Sequence, residues 1–292
     1  MGTLFEFQRL FRIAALGWWN DRAMSLGASI SFFTVFSLAP MLLAAISVAG
    51  LVFGHDAAQG AVVAELGGLL GEEAAEALEA MIVSARDVGS GIIGTTVGVV
   101  AFLVLATGAF VEIQDSLNLI WKVPPSSAGV WAFVRNRILS LGLVVGIGFL
   151  LLVSLIIDAG ANAVGAYLRA SLAEEIAILA VLNSTFTFVI AVLLFAMIFK
   201  VLPAVRLAWR DVWIGALVTG LSFTLGKFLI GYYVGRSGLA SSYGAAASLI
   251  TILLWIYYSS LILLFGAEFT KAYAETKGSR VRSHEGRGAK SI

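Results

Sequence analysis

Six long apolar segments constrain this chain more than any other feature of its sequence. A helix needs about 20 mostly apolar residues to cross a hydrocarbon core of ~30 Å. Five of the segments contain no charged residue, and the fifth along the chain contains only Lys227. The sequence therefore predicts an all-α integral membrane bundle of six transmembrane helices. The predicted spans are 23–53, 89–110, 138–157, 176–199, 212–234 and 243–265.

The composition excludes several other classes of protein. Hydrophobic residues make up 60% of the 292 residues and charged residues 13%, whereas a soluble domain has about 45–50% and about 25%. The absence of cysteine excludes disulfide frameworks and cysteine–zinc sites. The formal net charge of +1 gives no bulk attraction to nucleic acid. We therefore expect no nucleic-acid partner, no metal site and no cofactor.

The distribution of Lys and Arg predicts the orientation of the bundle. Fifteen of them lie in the N-terminal segment, the second and fourth connections and the C-terminal tail, and only three lie in the other connections. Positive charge favours the cytoplasmic side, so both termini are predicted to be cytoplasmic. Residues 1–22 form a cytoplasmic amphipathic segment, and Asn20 and Asp21 are expected to cap the first span. The six spans make up a membrane domain over 23–270, and the basic tail 271–292 is expected to be disordered.

The first outer connection, 54–88, is the only long one, and it is acidic. Its apolar residues recur at helical spacing, which predicts one or two amphipathic helices. These helices form either a solvated cap resting on the bundle or an acidic outer vestibule or gate.

Lys227 is the sharpest candidate for a functional residue. An ammonium group in the hydrocarbon zone costs several kcal/mol and usually faces protein or water. Helical side chains lean toward the helix N-terminus, which points Lys227 deeper into the bundle. Asn183 lies at nearly the same depth, and Asp158 is the nearest plausible carboxylate. We predict a polar intramembrane site among these three residues; the alternative is that Lys227 snorkels to the outer headgroups.

Small and hydroxyl-bearing residues recur at helical spacing on the first and last spans. Such faces allow close helix packing, and their hydroxyls can form hydrogen bonds across helices. The same faces are alternatively the lining of a transport pathway, where a proline would free a backbone carbonyl. The candidate pathway residues are Ser31, Thr34, Ser37, Pro40, Thr251 and Tyr258.

Catalytic motifs are missing from the sequence. A metal nuclease needs clustered His, Asp or Glu ligands, yet the two histidines, His55 and His284, lie in connections on opposite sides. No nucleophile elbow, His-Glu-x-x-His motif or Walker phosphate loop occurs. The chain is therefore not expected to be an enzyme.

Several stretches resemble one known family. Residues 28–40 (ASISFFTVFSLAP), 118–122 (NLIWK), 243–258 (YGAAASLITILLWIYY) and 264–268 (LFGAE) are similar to the YihY/BrkB family of bacterial inner-membrane proteins. The resemblance implies six transmembrane helices and a plasma-membrane location. Members have been labelled virulence factor or ribonuclease BN, and export or flipping of lipid-like molecules has been suggested for relatives. The missing metal ligands argue against the ribonuclease label here.

Two functions are consistent with these features. In the first, the protein transports or flips a lipid-like or anionic small molecule through the polar site near Lys227, with membrane lipids as its surroundings. In the second, it is a non-catalytic membrane scaffold that maintains envelope integrity, as a homo-oligomer or with an envelope protein partner.

Overall fold

The computed structural model describes residues 2–70, 72–86, 108–124, 173–236 and 247–279. Every regular element in these ranges is helical, so the all-α prediction is confirmed for them. A further helical segment covers 108–120. The predicted span 138–157 and most of 89–110 lie outside the described residues. The helices are α1 (Gly2–Asn20), α2 (Ala23–Phe53), α3 (His55–Leu70), α4 (Glu72–Arg86), α5 (Ala173–Val201), α6 (Trp209–Arg236) and α7 (Ala247–Thr276).

Two helices contain stretches that are long and apolar enough to cross a membrane. They are Ser184–Val201 in α5 and Leu249–Thr276 in α7, with mean hydropathies of 2.2 and 2.1, and α2 contributes the shorter apolar stretch Ala23–Leu38. α2 has the predicted bounds of the first span, and α5 and α6 contain the predicted spans 176–199 and 212–234. The fold is therefore a membrane helical bundle, while the count of six spans and the side of the termini stay predictions.

α7 is the central helix of the described bundle. It packs against α6, α2 and α1, and α5 covers the other side of α6. The main apolar core combines residues from these helices with the segment 108–120, and Phe199, Leu264 and Leu117 are almost fully buried in it.

α6 and α7 interlock through two glycine–threonine pairs. A Cβ added at Gly215 would lie 2.8 Å from the Cβ of Thr270, and one added at Gly266 would lie 2.9 Å from the Cβ of Thr219. Each threonine hydroxyl donates to a carbonyl of its own helix, Thr219 to Gly215 and Thr270 to Gly266, both at 2.7 Å. The glycines thus make room for the threonines of the antiparallel neighbour, and each of these two threonine hydroxyls has an acceptor.

α3 and α4 form the helices expected in the first outer connection. They fold back against the bundle with one apolar side, where Ala58 of α3 and Ile82 of α4 are buried together with Ile46 of α2. Leu78 of α4 and Ile252 of α7 form a second buried cluster. The two helices therefore pack on α2 and α7, as a cap resting on the bundle would.

The chain termini are more ordered against the bundle than the sequence indicated. α1 buries Leu10 and Ala14 against Phe269 and Ala272 of α7. α7 continues to Thr276, and residues 277–279 fold against the start of α6. The expectation of disorder is therefore wrong for 271–279, because buried contacts hold this segment; residues 280–292 lie outside the described part of the chain.

Candidate functional site

Lys227 lies in the last third of α6, and its side chain is half-buried. Within the described ranges, no residue forms a hydrogen bond or an ion pair with its ammonium group. Asp158 lies outside those ranges. Asn183 belongs to α5, but the description does not extend to its side chain. The predicted site of Lys227, Asn183 and Asp158 therefore stays a prediction.

The structure brings one predicted pathway residue next to Lys227. Tyr258 of α7 packs on Gly226, the residue before Lys227, so closely that an added Cβ there would lie 2.6 Å from the ring carbon Cζ. Tyr258 itself is half-buried, and Thr251, two turns before it, is buried. The phenol of Tyr258 thus lies one residue away from Lys227 along α6.

Two of the three candidate hydroxyls of α2 have acceptors inside their own helix. Ser31 donates to Gly27 at 2.6 Å, and Ser37 donates to Phe33 at 2.7 Å; both residues are buried. These two serines therefore have the geometry of helix-packing residues. Thr34 is half-buried, and α2 passes through Pro40 as a helix.

The segment 108–120 packs against α2 through polar contacts. The Ser37 hydroxyl accepts the backbone N–H of Ala109 at 3.3 Å, and Ser29 donates to Oε1 of Glu112 at 2.5 Å. One turn further, beyond the predicted second span, partial burial and the charge of Glu112 raise the pKa of Asp115 above its ordinary value of 3.8. The segment therefore carries two acidic side chains about one turn apart, Glu112 and Asp115.

Four charged residues that are not among the sequence-based candidates meet in one cluster, here called the carboxylate–lysine cluster: Asp21, Lys122, Glu268 and Lys271. The ammonium Nζ of Lys122 lies 2.5 Å from Oδ1 of Asp21. Nζ of Lys271 lies 4.0 Å from Oδ2 of Asp21 and 3.7 Å from Oε2 of Glu268. Two carboxylates and two ammonium groups thus meet where α1, α2, α7 and the end of 108–120 converge.

Two left-handed turns and one glycine position the cluster. Arg22, between α1 and α2, has φ = 56°, and Lys122, after the segment 108–120, has φ = 53°. Asp21 therefore contacts the lysines and does not cap α2. The N-cap residue of α2 is Arg22, which forms no side-chain capping hydrogen bond. The prediction that Asn20 and Asp21 cap this helix is therefore wrong. Glu268 lies over Gly17, where an added Cβ would be 2.9 Å from its Cδ.

The two carboxylates of the cluster are buried, and their hydrogen bonds are incomplete. The Glu268 side chain is 4% exposed and that of Asp21 is 11% exposed. Within the part of the chain that the structure describes, Oδ2 of Asp21 and Oε1 of Glu268 are buried and accept no hydrogen bond. Buried oxygens of this kind are costly, so they call for a proton, a water molecule or a movement that supplies a donor.

Further polar contacts lie at the same end of the bundle. Gln114 donates to the carbonyl of Leu202 at 2.8 Å, and Asn118 accepts from the backbone of Ala204 at 2.8 Å. These contacts join the second connection to the fourth, as Lys122 joins the second to the N-terminal segment. Segments predicted to share one side therefore do meet at one end.

The tail closes this end of the bundle. The buried carboxylate of Asp211, in the first turn of α6, accepts hydrogen bonds from the N–H and the hydroxyl of Ser279, at 3.0 and 2.6 Å. Arg210 donates a hydrogen bond to the backbone carbonyl of Lys277. The ammonium group of Lys277 forms an ion pair with Glu6 of α1. The start of α6, the end of α7 and the start of α1 are therefore tied together.

The sequence did carry one signal for the cluster. Glu268 ends the stretch 264–268 and Lys122 ends the stretch 118–122, and both stretches carry the family resemblance. Composition and spacing do not link the cluster residues to one another, because Asp21 and Lys122 are 101 residues apart.

Among the described residues, no group of three or more His, Cys, Asp or Glu side chains could hold a metal ion.

The bundle and its apolar helices define an integral membrane protein that crosses the bilayer several times. The chain belongs to the family described as virulence factor BrkB, whose model matches residues 14–290. It is similar to a UPF0761 membrane protein of Pseudomonas paraeruginosa, with 30% identity over 258 residues that cover 85% of this chain and 58% of that protein. It is also similar to a UPF0761 membrane protein of Yersinia pestis, with 31% identity over 64% of this chain and 61% of that protein.

The comparisons place the chain in the inner membrane as a multi-pass protein. The chain spans less than two thirds of the length of the curated relatives named above. Neither the family description nor the relatives' names mention a catalytic activity. No solved structure matches.

Proposed function

We propose that the protein moves or reorients a lipid-like or anionic small molecule across the membrane, with Lys227 as the residue that attracts its anionic group. The half-buried ammonium group within an apolar helix carries this proposal. A lysine at such a position costs several kcal/mol on insertion scales, and intramembrane cations of this kind commonly mark substrate paths. The phenol of Tyr258, which packs on the neighbouring Gly226, adds a hydrogen-bonding group at the same level.

The helix geometry supports the assignment of Lys227 to a path through the interior. Eighteen residues separate Trp209 at the start of α6 from Lys227, which corresponds to about 27 Å of helix. That length is nearly the thickness of a hydrocarbon core, so the ammonium lies toward the side opposite the carboxylate–lysine cluster. Because helical side chains lean toward the helix N-terminus, the lysine stem is directed back into the bundle.

The proposal is tested with the purified protein in vesicles of phosphatidylethanolamine and phosphatidylglycerol. The vesicles carry fluorescent phosphatidylglycerol or fluorescent phosphatidylcholine, and the fraction that an external quencher reaches reports movement between leaflets. We expect wild type to move phosphatidylglycerol faster than protein-free vesicles do. Lys227→Met should lower that rate at least tenfold, and Lys227→Arg should retain most of it because the cation is kept.

A matched control lies on the same helix. Leu229 is exposed on α6, two residues from Lys227, and Leu229→Met should leave the rate unchanged. Wild-type movement no faster than in protein-free vesicles overturns the proposal for lipid substrates. A Lys227→Met rate equal to wild type overturns the role of the lysine.

A scaffold function is the second candidate, and the satisfied hydroxyls favour it. Ser31, Ser37, Thr219 and Thr270 all donate to carbonyls of their own helices and pack closely, which is typical of a rigid bundle. In this function the protein holds a second copy or another envelope protein and catalyses nothing, ribonuclease chemistry included. It predicts vesicles without lipid movement and a stable partner that survives gentle detergent extraction and purification.

A further inference from the structure

Two carboxyl groups face each other across the junction of α1, α2 and α7. Asp21 belongs to the link between α1 and α2, and Glu268 belongs to α7, 247 residues further along the chain. Nζ of Lys271 lies 4.0 Å from Oδ2 of Asp21 and 3.7 Å from Oε2 of Glu268, so both carboxyl groups converge on one ammonium group. We propose that Asp21 and Glu268 bind one proton between them and so form a proton-binding site of the protein.

The hydrogen-bond count of the pair supports the bound proton. In the described part of the chain, one oxygen of each group, Oδ2 of Asp21 and Oε1 of Glu268, is buried without a donor. The Lys271 ammonium lies 3.7 Å from Oε2 of Glu268, beyond hydrogen-bonding distance. In the proposed site, a proton on Oε1 of Glu268 is donated to Oδ2 of Asp21, which gives each of these two oxygens a hydrogen-bond partner.

The electrostatics of the site support the same conclusion. Two carboxylates that share one buried site cannot both ionise without strong repulsion, and burial also disfavours the charged form. The charged groups that face Glu268 are Asp21, Lys122 at the end of 108–120, and Lys271 on its own helix; α1 contributes Gly17, which carries no charge. Lys122 forms an ion pair with Asp21, and its side chain is 60% exposed. Water therefore weakens the electrostatic effect of its charge on Glu268.

Proton uptake changes the cluster in a defined way. With both carboxylates ionised, the four residues have a net charge of zero. A proton from bulk water converts the carboxylate of Glu268 to a carboxylic acid and leaves a net charge of +1. The attraction between Glu268 and Lys271 is then lost, while Lys122 keeps its contact with Asp21. This inference stands independently of the transport proposal.

Infrared difference spectroscopy of the full chain tests the site without a reagent that must enter it. Wild type in neutral buffer should show the C=O stretch of a protonated carboxyl group, and this band should disappear as the pH is raised. We expect Glu268→Gln and Asp21→Asn each to lack the band. Glu275→Gln, an exposed position on the same helix, should retain it.

Each other result overturns the inference. If the band is missing in wild type, or is retained in both Glu268→Gln and Asp21→Asn, the pair holds no proton. If it is lost only in Glu268→Gln, the proton belongs to Glu268 alone and the shared site is refuted. Labelling by dicyclohexylcarbodiimide, which attacks protonated carboxyl groups in apolar surroundings, gives a second measurement on the same variants. Mass spectrometry should find the label at Asp21 or Glu268 and not at Glu275, and labelling confined to Glu275 counts against the site.

Discussion

Substitution of Gly215 by alanine tests whether the interlock of α6 and α7 supports the bundle. The added Cβ would lie 2.8 Å from the Cβ of Thr270 and closer still to its hydroxyl oxygen. Rotating the hydroxyl away breaks its hydrogen bond to Gly266, which is worth about 1 kcal/mol. The remaining contact between the two Cβ atoms requires the helices to separate, and overpacking of this kind costs about 1–3 kcal/mol.

One term opposes this loss. Alanine favours a helix interior over glycine by up to about 1 kcal/mol. The expected net loss of stability for Gly215→Ala is therefore about 1–3 kcal/mol. Thermal unfolding in detergent, followed by size-exclusion chromatography of the heated samples, measures this loss as a lower melting temperature.

A matched glycine and a compensating variant make the test specific. Gly60 lies in α3 with nothing within 4 Å of an added Cβ, so Gly60→Ala should be neutral or slightly stabilising. Thr270→Gly removes the atoms that clash, so Gly215→Ala/Thr270→Gly should be more stable than the two single losses predict when added. If Gly215→Ala melts at the wild-type temperature, or if the double variant shows no coupling, the interlock does not support the bundle.

Three further predictions concern the polar end of the bundle. Asp211→Ala removes the acceptor of two hydrogen bonds from Ser279, so we expect a loss of about 1–3 kcal/mol and faster hydrogen exchange over 277–279; unchanged exchange would contradict this role. Gln114→Leu leaves the carbonyl of Leu202 without its donor and should lower the stability by about 1–3 kcal/mol; a wild-type melting temperature would refute the contact. Because the pKa of Asp115 is raised, the folded chain binds that proton more tightly than the unfolded chain, so the contribution of this group to stability falls as the pH rises. Asp115→Asn should therefore be more stable at neutral pH, by up to about 0.5 kcal/mol, and a melting series should show the difference vanishing in acid; a difference that grows on acidification would be inconsistent with this account.

The helices were the predictable part of the fold. α2 has the predicted bounds, 23–53, and the structure extends the predicted spans 176–199 and 212–234 by only two or three residues at each end. Long apolar segments predict such helices because the hydrocarbon core offers no water, so the backbone N–H and C=O groups must form hydrogen bonds within the helix. The last helix continues beyond its predicted end at 265. The predicted span ends there because hydropathy falls toward Glu268 and Lys271. The contacts of these two residues keep the helix intact in the structure.

The polar clusters could not be predicted, because they depend on which helices are neighbours. Asp21, Lys122 and Glu268 come from three distant parts of the chain, and only the lateral order of the helices brings them together. The choice of Lys227 as a candidate does not depend on which helices are neighbours, because a single charged residue in an apolar segment can be recognised from the sequence alone. Its proposed partners, Asp158 and Asn183, depend on the same lateral order.

The threonine–glycine fit between α6 and α7 also limits how the protein can change shape. Each threonine occupies a gap that exists at only one register, and a slide by less than one helical turn, about 5.4 Å, would drive a methyl group into the opposing backbone. The fit therefore opposes sliding of α6 along α7 parallel to the helix axes. A rearrangement that keeps this fit moves α6 and α7 together, relative to the helices packed around them.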